Sequence, residues 1–406
     1  LFICALNEKN SLRVRAEAYP CSVGSKEMSE LLKDKRILIF LRSLQLGGSE
    51  QQAILLANHL KYSQMADVQV WAFKGEGRAA EILEKHKIPI HVHPPKWEGN
   101  VFKKIIGLIG LILDIRKFKP HIIISFNDYP NKVCGAVWKF TGAKCNIWNQ
   151  RDEGREITGK PIEKLALRMT SCFVSNSIEG KKFLMNTFFI PEEKITLIYN
   201  GIQLEEPQKE RSQWRKDLQI DEGRFSAVMV ANLHSFKDHP TLLVAWRRVI
   251  DKTGREQAPI LLLAGRFDET YSQLKFLAAD LKLGDSIRFL GEVIDIPGLL
   301  KAVDLSVFSS KFEGCPNGVL ESMAAGLPVV ATHITGTAEA LGDDYPFLAP
   351  INNSESFAEH ILTFIYDENL RQKIGKQNYE RVVTRFTPQQ MLKAYTALLK
   401  NILPQQ

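Results

Sequence analysis

The sequence predicts an α/β protein made of two doubly wound, Rossmann-like domains facing a central cleft. Three observations point there. The chain has 406 residues, and at roughly 100–200 residues per domain that leaves room for two. From residue 36 onward, apolar β-rich runs alternate with helical stretches, in two successive series. Runs such as 121–125 (HIIIS) are apolar almost throughout, as expected of strands covered on both faces of a parallel sheet.

The first series of strand candidates is 36–42, 68–73, 89–93, 121–125, 145–149, 172–175 and 195–198. Helical stretches lie between them at 49–61, 78–86, 101–118, 129–140, 158–170 and 178–186. The second series places strands at 225–231, 259–264, 287–290, 305–309 and 328–331. Its helices fall near 240–252, 270–282, 296–302, 317–325, 336–342, 354–366 and 368–385. The stretch 200–221 between the series, with Glu205, Glu206, Pro207 and Gln208, is polar and linker-like. The expected domains are therefore 36–200 and 201–387. A last helix, 388–403, belongs to either and is a candidate to pack back on the first. Residues 1–35 are expected to be an extension outside the fold, because 1–27 show no period and the first strong strand signal is 36–41 (RILIFL). The first Met is Met28, so a misassigned start or a loose arm is the expectation for the residues before it.

Composition removes several classes. Charged residues make 24% and hydrophobic ones 45%, ordinary for a globular protein and unlike a disordered or collagen-like chain. The longest clean apolar stretch, 105–113, is about half of the roughly 20 residues that span a bilayer. The opening LFICAL lacks the basic flank of a secretory signal. Cys4, Cys21, Cys134, Cys145, Cys172 and Cys315 form no C-x-x-C pair, which fits free thiols in a reducing compartment. The formal charge of +7 is uneven: residues 1–200 carry +10 and residues 201–406 carry −3. No aromatic-interleaved basic stripe suggests nucleic acid.

In open α/β sheets ligands bind beyond the carboxyl ends of the strands, and the motifs fall there. Gly47-Gly48-Ser49-Glu50 follows the first strand. Two glycines allow a close backbone approach, the helix start behind them suits phosphate, and Ser49 is a candidate N-cap. Gly75-Glu76-Gly77-Arg78-Ala79-Ala80 matches G-x-G-x-x-A but follows the second strand, so it is a poor dinucleotide fingerprint. Asn232-Leu233-His234-Ser235-Phe236-Lys237-Asp238-His239-Pro240 places an ammonium just before a helix that Pro240 opens. The densest signal is Glu313-Gly314-Cys315-Pro316-Asn317-Gly318-Val319-Leu320-Glu321. Glu313 lies in a Gly/Pro loop after an apolar strand, and Glu321 lies one turn into a helix with Asn317 as candidate N-cap. A carboxylate can accept two hydrogen bonds from a vicinal diol, and the helix N-terminus beside it suits a phosphate. Two carboxylates around a phosphate cradle suit a sugar nucleotide.

Those residues resemble the signature of the retaining glycosyltransferases of family 4. The resemblance rests on Glu313-x7-Glu321 with MAAGLPVV after it, on the Gly47–Glu50 loop, on Tyr199-Asn200-Gly201-Ile202 and on the Asn232…Lys237 loop. Phe289-Leu290-Gly291-Glu292 and Ala302-Val303-Asp304-Leu305 match too. It covers about residues 36–400 and implies the GT-B architecture. It implies that Glu321 binds the donor ribose and that Glu313 contacts the donor sugar near the reacting carbon. Lys237 would hold the diphosphate and stabilise the leaving group. Backbone groups around Gly47, Gly48, Cys315 and Asn317 would add phosphate contacts, the Gly291–Ile294 loop would lie near the nucleobase, and the first domain would take the acceptor.

Two departures from the family pattern matter. Many relatives have Arg where Asn232 stands, and Arg266 is the candidate to compensate. Many have a cleft His where this chain has Arg151, so Arg151 and Asp152 are the acceptor-side candidates. The expected reaction moves a sugar from a UDP-sugar or GDP-sugar to an acceptor hydroxyl in glycan, lipopolysaccharide or polysaccharide biosynthesis. No cofactor is required and no metal is expected, since no D-x-D-like dyad follows a strand. His91 and His93 share a strand face but show no third ligand in the sequence. The helix 101–118, apolar in its centre with Lys103, Lys104, Arg116, Lys117 and Lys119, is a candidate for an anionic membrane surface, which makes the expected location cytoplasmic and peripheral to the membrane. The alternatives are a sugar-nucleotide epimerase or hydrolase of the same fold, a non-catalytic sugar-nucleotide binder, and a dinucleotide oxidoreductase.

Overall fold

The computed structural model describes residues 31–94, 101–154, 159–255 and 258–403. Thirteen strands among them form two sheets. The first sheet contains β1 (Arg36–Ser43), β2 (Asp67–Lys74), β3 (Ile90–Val92), β4 (Ile122–Phe126), β5 (Cys145–Gln150), β6 (Cys172–Ser175) and β7 (Ile195–Leu197). The second contains β8 (Ser226–Val230), β9 (Ile260–Ala264), β10 (Ile287–Gly291), β11 (Leu305–Phe308), β12 (Val329–Thr332) and β13 (Leu348–Ala349). The spatial orders are β3-β2-β1-β4-β5-β6-β7 and β10-β9-β8-β11-β12-β13. Every strand pair is parallel.

Each sheet is buried on both faces because its strands carry apolar residues at odd and even positions alike. Ile37, Ile39 and Leu41 of β1 belong to one core, while Leu38 and Phe40 belong to the other. In the second sheet Ala227 and Met229 point one way and Val228 points the other. Strand order reverses between β1 and β4 in the first sheet, and between β8 and β11 in the second. At such switch points the loops leaving adjacent strands diverge and leave a crevice. The loops leaving these four strands carry the Gly47–Gly48, Asn127, Asn232–Lys237 and Ser309–Asn317 segments.

Several sequence expectations need correction. Residues 1–30 lie outside the described residues, but residues 31–35 are part of the fold. Leu32 is fully buried in the first core, and Asp67 N–H donates to Lys35 O, so the stretch is held by apolar burial and by the sheet edge. The polar junction contains a helix, Arg211–Asp217. Its Arg215 is almost fully buried and donates to Ala302 O (3.1 Å) and Arg224 O (2.6 Å), whereas Glu205, Glu206 and Gln208 before the helix are exposed and lie outside any helix or strand. Ser49 is not the N-cap of its helix, Gly48–Tyr62, which Gly47 precedes. Asn317 is the first residue of the helix Asn317–Ala324, capped by Pro316. The last helix, Pro388–Ile402, sends Met391, Tyr395 and Leu399 into the first core, and the Tyr395 hydroxyl donates to Asn149 Oδ1.

Candidate functional site

Lys237 stands in the loop after β8, and its ammonium pairs with Glu313 Oε1. It also lies 4.5 Å from the centre of the Phe308 ring at the end of β11, a cation–π contact. Glu313 is 9% exposed and accepts a second hydrogen bond on the same oxygen from Ser310 Oγ (2.9 Å). Thr332 Oγ1 accepts from Ser310 N–H (2.9 Å), which fixes that loop to β12. The pair is therefore preorganised by three strand ends. A Cβ on Gly336 would fall 2.4 Å from Glu313 O, so the helix Thr335–Leu341 rests directly on the Glu313 backbone.

Glu321 sits in the second turn of the helix Asn317–Ala324, half-buried. Burial pushes its carboxyl up to about 7, and a hydrogen bond from Gln51 of the first domain opposes that rise. Gln51 Oε1 in turn accepts from Asn317 Nδ2 (2.8 Å). Asn317 Oδ1 accepts from Asn200 Nδ2 (2.7 Å), which also reaches Cys315 O (3.0 Å). Asn200 Oδ1 accepts from Arg151 Nη2 (2.6 Å). A polar chain thus runs from the first-domain loop through the domain junction into the Glu313–Glu321 segment. Gly48 closes it: a Cβ there would lie 3.2 Å from Asn317 Nδ2. The Cys315 thiol is pushed up to about 12 by burial, which leaves it inert as a nucleophile.

Asn232 and Arg266 are brought together, though not as two free groups. Asn232 Oδ1 accepts from Arg266 N–H (3.0 Å), and the Arg266 guanidinium forks onto Asp268 (2.9 and 3.3 Å). A role for Arg266 as substitute cation therefore requires it to leave, or share, that carboxylate. Ile294 is 63% exposed at the cleft rim. Gly291, with φ at 71°, lies against Phe267, whose ring stacks on Tyr271 at 3.9 Å. Asp152 is used locally: its Oδ1 accepts from Gly154 N–H (2.7 Å) and Gln150 Nε2 (3.0 Å). Arg151 stacks over Phe126 at 5.6 Å.

Glu50 closes the Gly47–Glu50 loop and opens the cleft side of the first helix. It is 8% exposed, next to the cleft, with Asn127 Nδ2 3.5 Å away. Burial pushes its carboxyl up to about 7, against the pull of Arg151, Arg266 and Arg42. Its sequence signal is a charged residue at the start of a helix after a Gly-Gly turn, but no local spacing encodes its burial. The His91–His93 pair has a third neighbour that the sequence does not reveal. Asp114 Oδ2 lies 3.3 Å from His93 Nδ1, and Asp114 also pairs with Lys117 (2.8 Å). A ligating atom from each of His91, His93 and Asp114 lies within 4.8 Å of the others.

Two Rossmann-type sheets meeting across one cleft form the GT-B architecture. HepE from Anabaena, solved with UDP and glucose, superposes with a TM-score of 0.78 at 21% identity, covering 89% of this chain and 98% of that one. The lipopolysaccharide glycosyltransferase WaaG superposes at 0.69, with 15% identity over 91% of this chain and all of that one. The "Glycosyl transferases group 1" family model matches residues 210–381, and the "Glycosyltransferase Family 4" model matches residues 46–206. Among curated relatives, the lipopolysaccharide core glycosyltransferase LpsE of Rhizobium meliloti is 30% identical over 202 residues, 46% of this chain and 59% of LpsE. CapM, a capsular polysaccharide glycosyltransferase of Staphylococcus aureus, is 22% identical over 86% of this chain and 94% of its own length. The match to the first of these relatives spans about three fifths of its length. The chain belongs to the family 4 glycosyltransferases of the GT-B fold.

Proposed function

We propose that the protein is a retaining glycosyltransferase that moves a sugar from a nucleoside diphosphate sugar to an acceptor hydroxyl in cell-surface polysaccharide or lipopolysaccharide assembly. The observation that carries this reading is the Lys237–Glu313 pair, buried at the second switch point with Glu321 on the following helix. Without donor, the ammonium is neutralised by Glu313. An incoming diphosphate competes for it and leaves Glu313 free to accept from a sugar hydroxyl. Glu321 accepts from the ribose diol in place of Gln51.

As the bond between the anomeric carbon and the diphosphate oxygen breaks, negative charge grows on the leaving group beside Lys237, which stabilises the transition state more than the ground state. The acceptor oxygen attacks from the same face and its proton passes to the departing phosphate oxygen, so configuration is retained without a protein nucleophile. Lys237 and the start of the helix Asn317–Ala324 supply the neutralising charge, so no metal is needed. Several relatives support a sugar-nucleotide donor and a lipid-linked acceptor. A galactosyltransferase of Escherichia coli named for UDP-Gal and a GlcNAc-diphosphoundecaprenol acceptor is 23% identical over 71% of this chain.

The acceptor reading extends to a membrane surface. No described helix is long and apolar enough to cross a bilayer. The helix Val101–Phe118 instead exposes Phe102 (76%), Ile105, Ile106 (64%), Ile109 and Leu113 at spacings of three and four residues, one continuous stripe. Lys103 and Lys104 flank it. Such a helix lies flat on an anionic membrane.

A panel of UDP- and GDP-sugars, scored by release of nucleoside diphosphate with and without membrane or polysaccharide acceptor fractions, tests the reading. Acceptor-dependent release with retained configuration is expected, and Glu313→Gln should lower it by at least a hundredfold. Full activity in that variant overturns the assignment.

A further inference from the structure

The opposite end of the first domain carries a second concave site. Because the sheet is parallel, Arg36 at the start of β1, His121 just before β4 and Lys144 just before β5 share the edge remote from the cleft. β1 has eight residues, so that edge lies on the order of 25 Å from the Gly47 loop. A surface cavity of about 370 Å³ opens there, lined by Arg36, Arg116, Lys119, His121, Thr141 and Lys144 among others, with no carboxylate in its wall. The single acid of the adjacent helix, Asp114, pairs with Lys117 and His93.

Arg36 and His121 are held in place. Arg36 is half-buried, and its Nε donates to Lys119 O (2.6 Å). Lys119 takes a left-handed φ of 54° just past the helix end, which turns that carbonyl toward Arg36. Arg36 N–H donates to His121 Nδ1 (2.9 Å), so the neutral imidazole carries its proton on Nε2 and presents a donor. Burial, then the charges of Arg36, Lys35 and Lys144, push His121 below its ordinary value. The negative end of the helix dipole accounts for Arg116 and Lys119 in and beyond the last turn. It does not account for Arg36 and Lys144, which arrive from two strand starts.

We propose that this basal pocket binds a phosphate group, with the Arg36 guanidinium, the His121 Nε2–H and the exposed Arg116, Lys119 and Lys144 as its ligands. The phosphate comes from a lipid headgroup or from a free phosphorylated compound. Arg116 continues the stripe of Phe102, Ile105, Ile109 and Leu113 at helical spacing, an apolar ridge about 17 Å long leading to the pocket. That continuity favours the lipid source. The proposal assumes nothing about the cleft.

The test uses the full chain in a Lys237→Ala background, which removes the cleft's own candidate diphosphate contact. Pyrophosphate is titrated calorimetrically, and flotation is measured on phosphatidylcholine vesicles with and without phosphatidylglycerol. Arg116→Glu/Lys144→Glu changes only exposed side chains and should weaken pyrophosphate binding at least tenfold; Arg36→Gln should do the same. Loss of flotation on phosphatidylglycerol in the same variants identifies a lipid headgroup, and flotation unchanged identifies a free phosphate compound. Pyrophosphate binding equal to the parent in both variants overturns the site, whether or not flotation falls, because flotation alone would need only diffuse charge.

Discussion

Among the described residues, Glu50 of the first domain and Glu321 of the second are carboxyls whose burial pushes them up to about 7. An acid whose folded value is raised binds its proton more tightly in the folded chain. Its contribution to stability is complete below its unfolded value, near 4.5, and is lost as pH rises through about 7. For Glu50, 8% exposed, this amounts to at most about 3 kcal/mol. Thermal unfolding of the wild type should therefore shift to lower temperature between pH 5 and pH 8, and Glu50→Gln should flatten that dependence. Identical pH profiles would refute the role of burial. Glu321 bears on binding instead. On the proposed reading the ionised form would accept both ribose hydroxyls, so donor KM should fall as pH rises from 6 to 8, and Glu321→Gln should abolish the trend with a KM raised about tenfold or more. Lys237, Glu313 and Glu321 are legible in the sequence as candidates because loop-after-strand position and residue type single them out. The raised values are not, because they depend on how deeply each carboxyl is buried in the folded chain.

The helix Asn317–Ala324 is the element on which the candidate donor site depends. Its eight residues are too few for independent stability, so packing fixes it. Val319, Leu320 and Met323 enter the second core, and Ser322 Oγ lies 2.7 Å from Ser306 Oγ of β11. Gly318 lets the helix rest on β8: a Cβ there would fall 2.4 Å from Val230 O. Gly318→Ala should push the helix start outward and cost about 1–3 kcal/mol, as overpacking does, with donor affinity falling alongside; a denaturant series with donor titration reads both. At this scale the strands were the most legible, since runs such as 260–264 are apolar on both faces. The helix caps were missed because Ser49 and Asn317 resemble N-caps, yet their side chains serve tertiary partners. Ser49 Oγ donates to Asn127 Oδ1 (2.7 Å), and Asn317 bridges the two domains. β13, two residues long, had too few residues for any period to register.

The two domains meet through polar contacts of very different worth. Gln52 is 1% exposed, donates to Gly201 O (3.2 Å) and accepts from Gly201 N–H (2.9 Å). Gln52→Leu should leave both backbone groups unpaired and cost about 2–4 kcal/mol. The Arg78–Glu292 pair across the cleft spans 3.6 Å, with Glu292 about half exposed. Glu292→Ala should change stability by less than about 1 kcal/mol. Gly314 packs against Arg151 O, which a Cβ would approach to 2.6 Å. Gly314→Ala should hold the domains apart, lowering kcat/KM with little change in the melting temperature of either domain; small-angle scattering of the variant checks the separation.

The charge asymmetry of the sequence also gains a location. Part of the positive excess of the first half gathers around the basal pocket, where Arg36, Arg116, Lys119 and Lys144 converge from three separate places in the chain. The candidate donor site lies in the acidic half and relies on one ammonium and a helix start. The sequence by itself determined the two-sheet architecture and marked Lys237, Glu313 and Glu321 as donor-side candidates, because strand burial and loop-after-strand motifs are local patterns written in consecutive residues. The tertiary structure alone decided that Glu50 is buried, that Gln51 reaches Glu321, that Arg266 faces Asp268, and that cations from three distant stretches share one pocket. Each of those depends on which loops the parallel crossovers bring side by side, and no local spacing encodes that.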